Sequence, residues 1–272
     1  MLDDPAWKDV RVISVNSEQC NEMNWYLWSA LGDPNNEIAW LEGELKNAEE
    51  KNEKVLLIAH FPSVSCNHAF GARIQALTER YQHLIRLQLY GHSHDEQWYM
   101  NRGKKDGKPI AVQFGNPSLG TRGGKNPGFR VLTLDAETML PIEVTRYYLN
   151  LTEANNGNPK WQKMYDVTEE YGFKSLKPSD YDQVVKSFST GNVETLKRMI
   201  SNEDGRFEFK SAKEVNCDQH CIKYHTCRKS SSEYWERQNC LGDFHYYDFV
   251  RNVEGAFENM MVDNWVEGPK PE

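Results

Sequence analysis

Along the first third of the chain, short unbroken apolar runs alternate with apolar residues spaced three and four apart. Residues 10–15 (VRVISV) read as a short strand. Asn35 or Asn36 is placed to cap a helix that carries Ile38, Leu41 and Leu45 on one face, with charged, exposed turns over 46–54. Residues 54–60 (KVLLIAH) form an apolar, β-rich run bounded by Pro62, the mark of a buried strand in an α/β sheet. A helical pattern over 71–83 leads into another strand, Leu84 to Tyr90, which stops at Gly91. Both buried strands therefore end in histidines.

From Glu96 the period changes to two. Gln97–Asn101 and Ile110–Phe114 flank the turn Arg102–Pro109, and Gly128–Asp135 and Ile142–Leu149 form a second hairpin through 136–138. Past Asn150 the strand pattern stops. Residues 155–159 (NNGNP) read as a linker, and helices are expected from about 160 onward, the clearest with Ser179-Asp180 capping Tyr181, Val184, Val185 and Phe188. The expected organisation is an α/β domain over 1–152 and a helical, cysteine-containing domain over 160–265. No repeat or low-complexity block interrupts it.

Composition narrows the function classes. The 8 Trp, 13 Tyr and 11 Phe can fill a real core. The longest strongly apolar run, Val55–Ala59, is far short of the ~20 residues of a membrane-spanning helix. A net charge of −8 repels phosphate backbones and excludes nucleic acid as the expected partner. Of six cysteines, Cys20 and Cys66 stand alone, while Cys217, Cys221, Cys227 and Cys240 crowd together. The cluster's spacing is not that of a C-x2-C zinc knuckle, so disulfides are the expectation and a structural metal the alternative. Asn150-Leu-Thr152 adds an N-glycosylation acceptor. These features point to the secretory pathway, with reduced cytosolic thiols as the alternative. Residues 1–8 carry no basic start and no apolar stretch, which leads to the expectation of a missing N-terminal portion.

The chemistry concentrates in Gly91-His92-Ser93-His94 and in His60. Two histidines at i and i+2 just after a strand can offer neutral imidazole nitrogens to a metal, and the glycine suits a tight backbone path. His60 ends another buried strand, and ligands of open α/β sheets gather outside the carboxyl ends of their strands. Metal ligation by His60, His92 and His94 is the expectation. His68 and His83 lack partner spacing, and His220, His225 and His245 in the cysteine-rich tail are not expected to be ligands. The basic turn 102–108 reads as a solvated hairpin, and residues 116–118 (NPS) as the border of a substrate cleft.

The strand-end histidine with G-H-x-H resembles the last two metal motifs of the calcineurin-like metallophosphoesterases. Further segments resemble the acid sphingomyelinase-like branch in particular: 11–16 (RVISVN), Asp33-Pro34 before 40–45 (WLEGEL), His60-Phe-Pro62, 90–94 (YGHSH), 126–130 (NPGFR), 148–152 (YLNLT) and the cysteine cluster. The resemblance implies the C-terminal half of that family's β-sandwich with flanking helices, followed by a small helical, disulfide-rich domain. It implies two zinc ions bridged by a hydroxide that attacks phosphorus, with His60 and His92 on one zinc and His94 on the other. It implies disulfides Cys20–Cys66, Cys217–Cys221 and Cys227–Cys240. The implied substrate is a phospholipid, sphingomyelin split to ceramide and phosphocholine, or a related phosphodiester. The family's earlier motifs, D-x-H, the bridging aspartate and Gly-Asn-His-Glu/Asp, have no counterpart here, and Asp33 reads as a helix-approach residue. The general acid and the bridging carboxylate are therefore unassigned. The chain alone is expected to hydrolyse poorly, and the alternative is a non-catalytic remnant or binding module.

Overall fold

In Val10–Val15 burial falls on Ile13 and Val15 while Val12 stays 51% exposed, and this run forms strand β1. The computed structural model describes residues 5–21, 23–29, 33 and 35–242. Helix α1 (Glu37–Glu50) buries Ile38, Leu41, Leu45 and Ala48. Its cap is not the expected asparagine. Asn36 makes no side-chain bond, and the Asp33 carboxylate accepts from the amides of Ile38 and Ala39, both at 3.0 Å. Strand β2 (Lys54–Ala59) follows, then α2 (His68–Arg80), whose amide at Phe70 donates to the Asn67 cap, then β3 (Ile85–Tyr90). Strands β4 (Gln97–Arg102) and β5 (Pro109–Gly115) form the expected hairpin.

These five strands make one sheet in the order β1-β2-β3-β5-β4, parallel except for the antiparallel β4. One face packs Ile13, Leu57 and Ile85 against Leu41, Leu45, Phe70 and Ile74 of α1 and α2. The other packs Leu56, Leu87, Trp98, Val112 and Phe114 into a second core. Burial on both faces is why β2 reads as a continuous apolar run.

The second core draws on a three-stranded antiparallel sheet of β6 (Gly128–Leu134), β7 (Pro141–Leu149) and β8 (Trp161–Asp166). Strand β8 corrects the expectation of helices from 160. Its Trp161–Tyr165 stretch bonds to β7, and only Tyr165 and Asp166 at its end are buried, so it carries no apolar pattern. A short helix α3 (Leu151–Asn155) occupies the stretch between β7 and β8. Then come α4 (Val167–Tyr171), α5 (Pro178–Phe188), α6 (Val193–Glu203), α7 (Gln219–Ser230) and α8 (Tyr234–Leu241). Helix α5 starts on Pro178, whose fixed φ suits a first helical position, with Lys177 rather than Ser179-Asp180 preceding it. Tyr181, Val185 and Phe188 face the core as expected.

The disulfides Cys20–Cys66, Cys217–Cys221 and Cys227–Cys240 are those implied by the resemblance. The whole is a mixed α/β fold. Of the expected second domain, residues 243–265 lie outside the described residues. Among the described residues no helix is long and apolar enough to cross a membrane.

Candidate active site

The parallel register aligns Val15, Ala59, Tyr90 and Gly115, so β1, β2, β3 and β5 all end at one rim. The chain just beyond each end supplies that rim with the Ser17–Cys20 turn, His60, Gly91-His92 and Asn116. The His60 and His92 rings lie 5.3 Å apart, centroid to centroid, and the Phe61 ring lies tilted at 4.1 Å from His92. The Gly91 amide donates to the His60 carbonyl at 2.9 Å, tying the two strand ends together.

The tight turn is made differently from expectation. Left-handed backbone falls on His92 (φ 74°) and His94 (φ 59°), not on Gly91. For an L-residue this conformation costs roughly 1–2 kcal/mol, so the loop holds its histidines against a local preference. Partial desolvation first, and the neighbouring His60 next, lower the His92 pKa. That favours the neutral imidazole, the form that binds a metal.

Sequence reasoning missed three charged groups at this rim. Glu18 Oε1 lies 4.0 Å from His60 Nε2. It rides on a turn fastened twice, by Cys20–Cys66 and by the Phe61 amide donating to Ser17 Oγ at 2.7 Å. Asp95 bonds the Lys125 ammonium, which also reaches the Ser93 carbonyl at 3.3 Å. Nothing in the sequence signalled any of the three as part of the rim; the Cys20–Cys66 bond behind the first was implied by the family resemblance alone. Asn116 closes the rim: its amide and Nδ2 both donate to the Tyr90 carbonyl, at 2.8 and 3.0 Å.

Behind the loop Glu96 is buried. It pairs with Arg130 (3.1 Å) and Arg146 (2.8 Å) and accepts from the Tyr165 hydroxyl at 2.5 Å. Burial alone would raise the Glu96 carboxyl, but Arg130, Arg146 and Tyr165 hold it below the usual carboxylate range. The histidine loop is thereby anchored to all three strands of the second sheet.

A zinc ion suits the His60–His92 pair by donor type, two imidazoles with a carboxylate nearby. The number of donors does not suffice. Among the described residues no three His, Cys, Asp or Glu side chains are grouped to hold one metal, and His94 does not join the pair in such a set. No catalytic step through a metal follows from these residues alone.

Other candidates have local roles. His68 faces Glu233 at 3.3 Å and His83 faces Glu49 at 3.0 Å. In the basic turn, Arg102 pairs with Asp182 and Lys104 with Glu236. Asn150 caps α3 through the Glu153 amide and is partly exposed. His245 lies outside the described residues.

Residues 113–246 match the acid sphingomyelin phosphodiesterase C-terminal region as a family. The chain is 28% identical over 249 residues, 87% of its length, to sphingomyelin phosphodiesterase B of Dictyostelium discoideum. It is 32% identical over 183 residues, 65% of its length, to human sphingomyelin phosphodiesterase. Over 249 residues, 86% of its length, it is 27% identical to human cyclic GMP-AMP phosphodiesterase SMPDL3A. The aligned parts are 38%, 29% and 54% of those proteins, so the chain spans about half their length or less.

Proposed function

This chain belongs to the acid sphingomyelinase-like family of phosphodiesterases, and on that premise we propose that His60, His92 and His94 are its ligands in a zinc-dependent site for phosphodiester hydrolysis. The observation that carries the reading is the pair of imidazoles, 5.3 Å apart, at the carboxyl ends of adjacent parallel strands. Bound zinc supplies Lewis acidity toward phosphoryl oxygens and lowers the pKa of a bound water. The chain's own part is to present a neutral His92, to hold His60 against it through the Gly91 amide, and to fix the loop through Glu96. The substrate class is a phosphodiester of the sphingomyelin type, a choline phospholipid or a related diester. Three disulfides and the Asn150 acceptor support a secreted or lysosomal setting.

The ligand count favours a second reading beside the first. With two imidazoles gathered and no group of three donors among the described residues, the chain alone is expected to turn over poorly and to act as a binding module. The experiment is zinc content by elemental analysis of the wild type and of His60→Ala, His92→Ala and His94→Ala, each assayed on sphingomyelin and on a chromogenic phosphodiester with added zinc. Less zinc in the variants supports the ligand assignment, and equal zinc in all four proteins sinks it. Zinc retained without hydrolysis of either substrate selects the binding module. Full activity of the wild type, abolished in His94→Ala, would overturn the expectation of poor turnover.

A further inference from the structure

Strand β3 does not pair evenly with β2. Val55 pairs with Ile85 and Leu56 with Leu87, so Arg86 is an extra residue bulged out of the ladder. A bulge re-aims a side chain at the cost of local pairing, and bulges collect beside binding and catalytic sites. Here Arg86 and its neighbour Leu87 both line a cavity of about 650 Å³. The cavity lies between the starts of β3 and β5 and the turn joining β6 to β7, at the far end of the first sheet from the histidine rim. From Arg86 to the strand end at Tyr90 is roughly 13 Å along the strand.

Its surface is apolar and its charge is positive. Leu87, Val112 and Phe114 form a buried floor, and Leu140 and Ile142, 39% and 58% exposed, line it where it meets solvent. Phe114 is the single aromatic ring among the described residues that line it, so the walls suit a flexible alkyl chain better than a flat ring. Arg86 and, just before α5, Lys174 and Lys177 also line the cavity. Among the described residues none of these three cations makes an ion pair or a side-chain hydrogen bond. The Arg86 Nε is closed off from solvent and has no acceptor. Buried donors in folded proteins are nearly always satisfied, so an orphan on a cavity wall points to a ligand that supplies the acceptor. The two nearby carboxylates do not cancel the charge. Asp135 accepts from the amide and the hydroxyl of Thr138, at 2.7 and 2.6 Å, within its own turn, and Glu137 is exposed.

An apolar trough with an unpaired guanidinium on its wall and two lysines beside it selects an anion carried on a hydrocarbon chain. We propose that this cavity binds a single-chain amphiphile with an anionic head, the chain lying on Leu87, Val112 and Phe114 and the head meeting Arg86. The volume falls within the range of small-ligand pockets, roughly 300–1,000 Å³. The head is a carboxylate or a phosphate, as in a fatty acid or an alkyl phosphate. The site is independent of the strand-end histidines and of any metal they hold.

The test titrates dodecanoate and dodecyl phosphate, below their micelle concentrations, into the full chain by calorimetry. Dodecanol and dodecyltrimethylammonium serve as neutral and cationic controls. One saturable site for the anionic probes is expected in the wild type and in His92→Ala, with both controls at least about tenfold weaker. Arg86→Gln should weaken the anions by a similar factor, and Arg86→Lys, which keeps the charge and loses the fork, should fall between. Ile142→Glu, a change on the exposed wall, keeps the test open if Arg86→Gln fails to fold, and its added negative charge should weaken the anions as well. Shortening the chain should cost about fourfold in affinity per methylene removed. The tighter of the two anions identifies the head as carboxylate or phosphate. The proposal is overturned by no saturable binding, by controls that bind as well as the anions, by anion affinity unchanged in both Arg86→Gln and Ile142→Glu, or by loss of binding in His92→Ala. A dimer in sedimentation velocity that dodecanoate does not dissociate and Ile142→Glu does would assign the cavity to a second copy, and would overturn it too.

Discussion

The strand-end rim and the Glu96 junction lie side by side and are built on opposite terms. At the rim, His60 and His92 are exposed, two loop residues occupy left-handed backbone, and their ring nitrogens carry few contacts. At the junction, each Glu96 oxygen has a charged partner and the surrounding groups are buried. The rim keeps its lone pairs free, and the junction uses its own to tie the loop to the second sheet. A residue's worth to stability and its worth to chemistry should therefore separate cleanly between the two.

The strongest way to break the contrast is at Glu96. Replacing it with Ala leaves Arg130 and Arg146 buried without their shared anion, a change that costs ~3–5 kcal/mol. Chemical denaturation of Glu96→Ala should show that loss. A loss below ~1 kcal/mol would mean the junction is not what anchors the loop. Next comes the bond that fastens the rim from behind. Cys20–Cys66 spans a separation of 46 residues, and removing it in a Cys20→Ser/Cys66→Ser variant should cost ~4 kcal/mol by the loop-entropy estimate. Zinc affinity should fall with it, because Glu18 loses its tether.

A smaller effect sharpens the comparison by pH. Burial first pushes the His225 pKa down to about 4, against an opposing pull from Glu203 and with help from Lys229 and Arg228. A depressed histidine is charged in the unfolded chain before it is charged in the fold, so stability falls as pH drops from ~6.5 toward 4. The loss at pH 5 should be on the order of 2 kcal/mol. Midpoints of urea unfolding at pH 7 and pH 5 check this, and His225→Asn should remove that part of the slope. Smallest of all is the effect of His60→Ala on stability, under ~0.5 kcal/mol for an exposed side chain, even as zinc content falls.

The first sheet was legible because β2, buried on both faces, leaves an unbroken apolar run, and β3 still sets Ile85, Leu87, Leu89 and Tyr90 into one short stretch that stops at Gly91. Strand β8 was not, because four of its six residues face partly or fully to solvent and only its pairing with β7 makes it a strand. His60, His92 and His94 were visible as strand-end chemistry. Glu18 was invisible because a disulfide to Cys66 and a bond to Phe61 bring it to the rim. Glu96 reads as one more polar residue opening a hairpin, while its partners Arg146 and Tyr165 lie 50 and 69 positions away. Contacts made at such separations leave no local pattern.

The two cores also set a timetable for the chain as it is made. The core beneath α1 and α2 draws on Ile13 to Tyr90, so it can close once those residues have left the ribosome. The core on the other face runs from Leu56 to Ile222 and stays incomplete until α7 emerges. At typical synthesis rates the interval from Tyr90 to Ile222 is roughly 7–25 s. Leu87, Trp98 and Phe114 on that side gain their cover stepwise, as the residues from Met139 to Ile222 emerge.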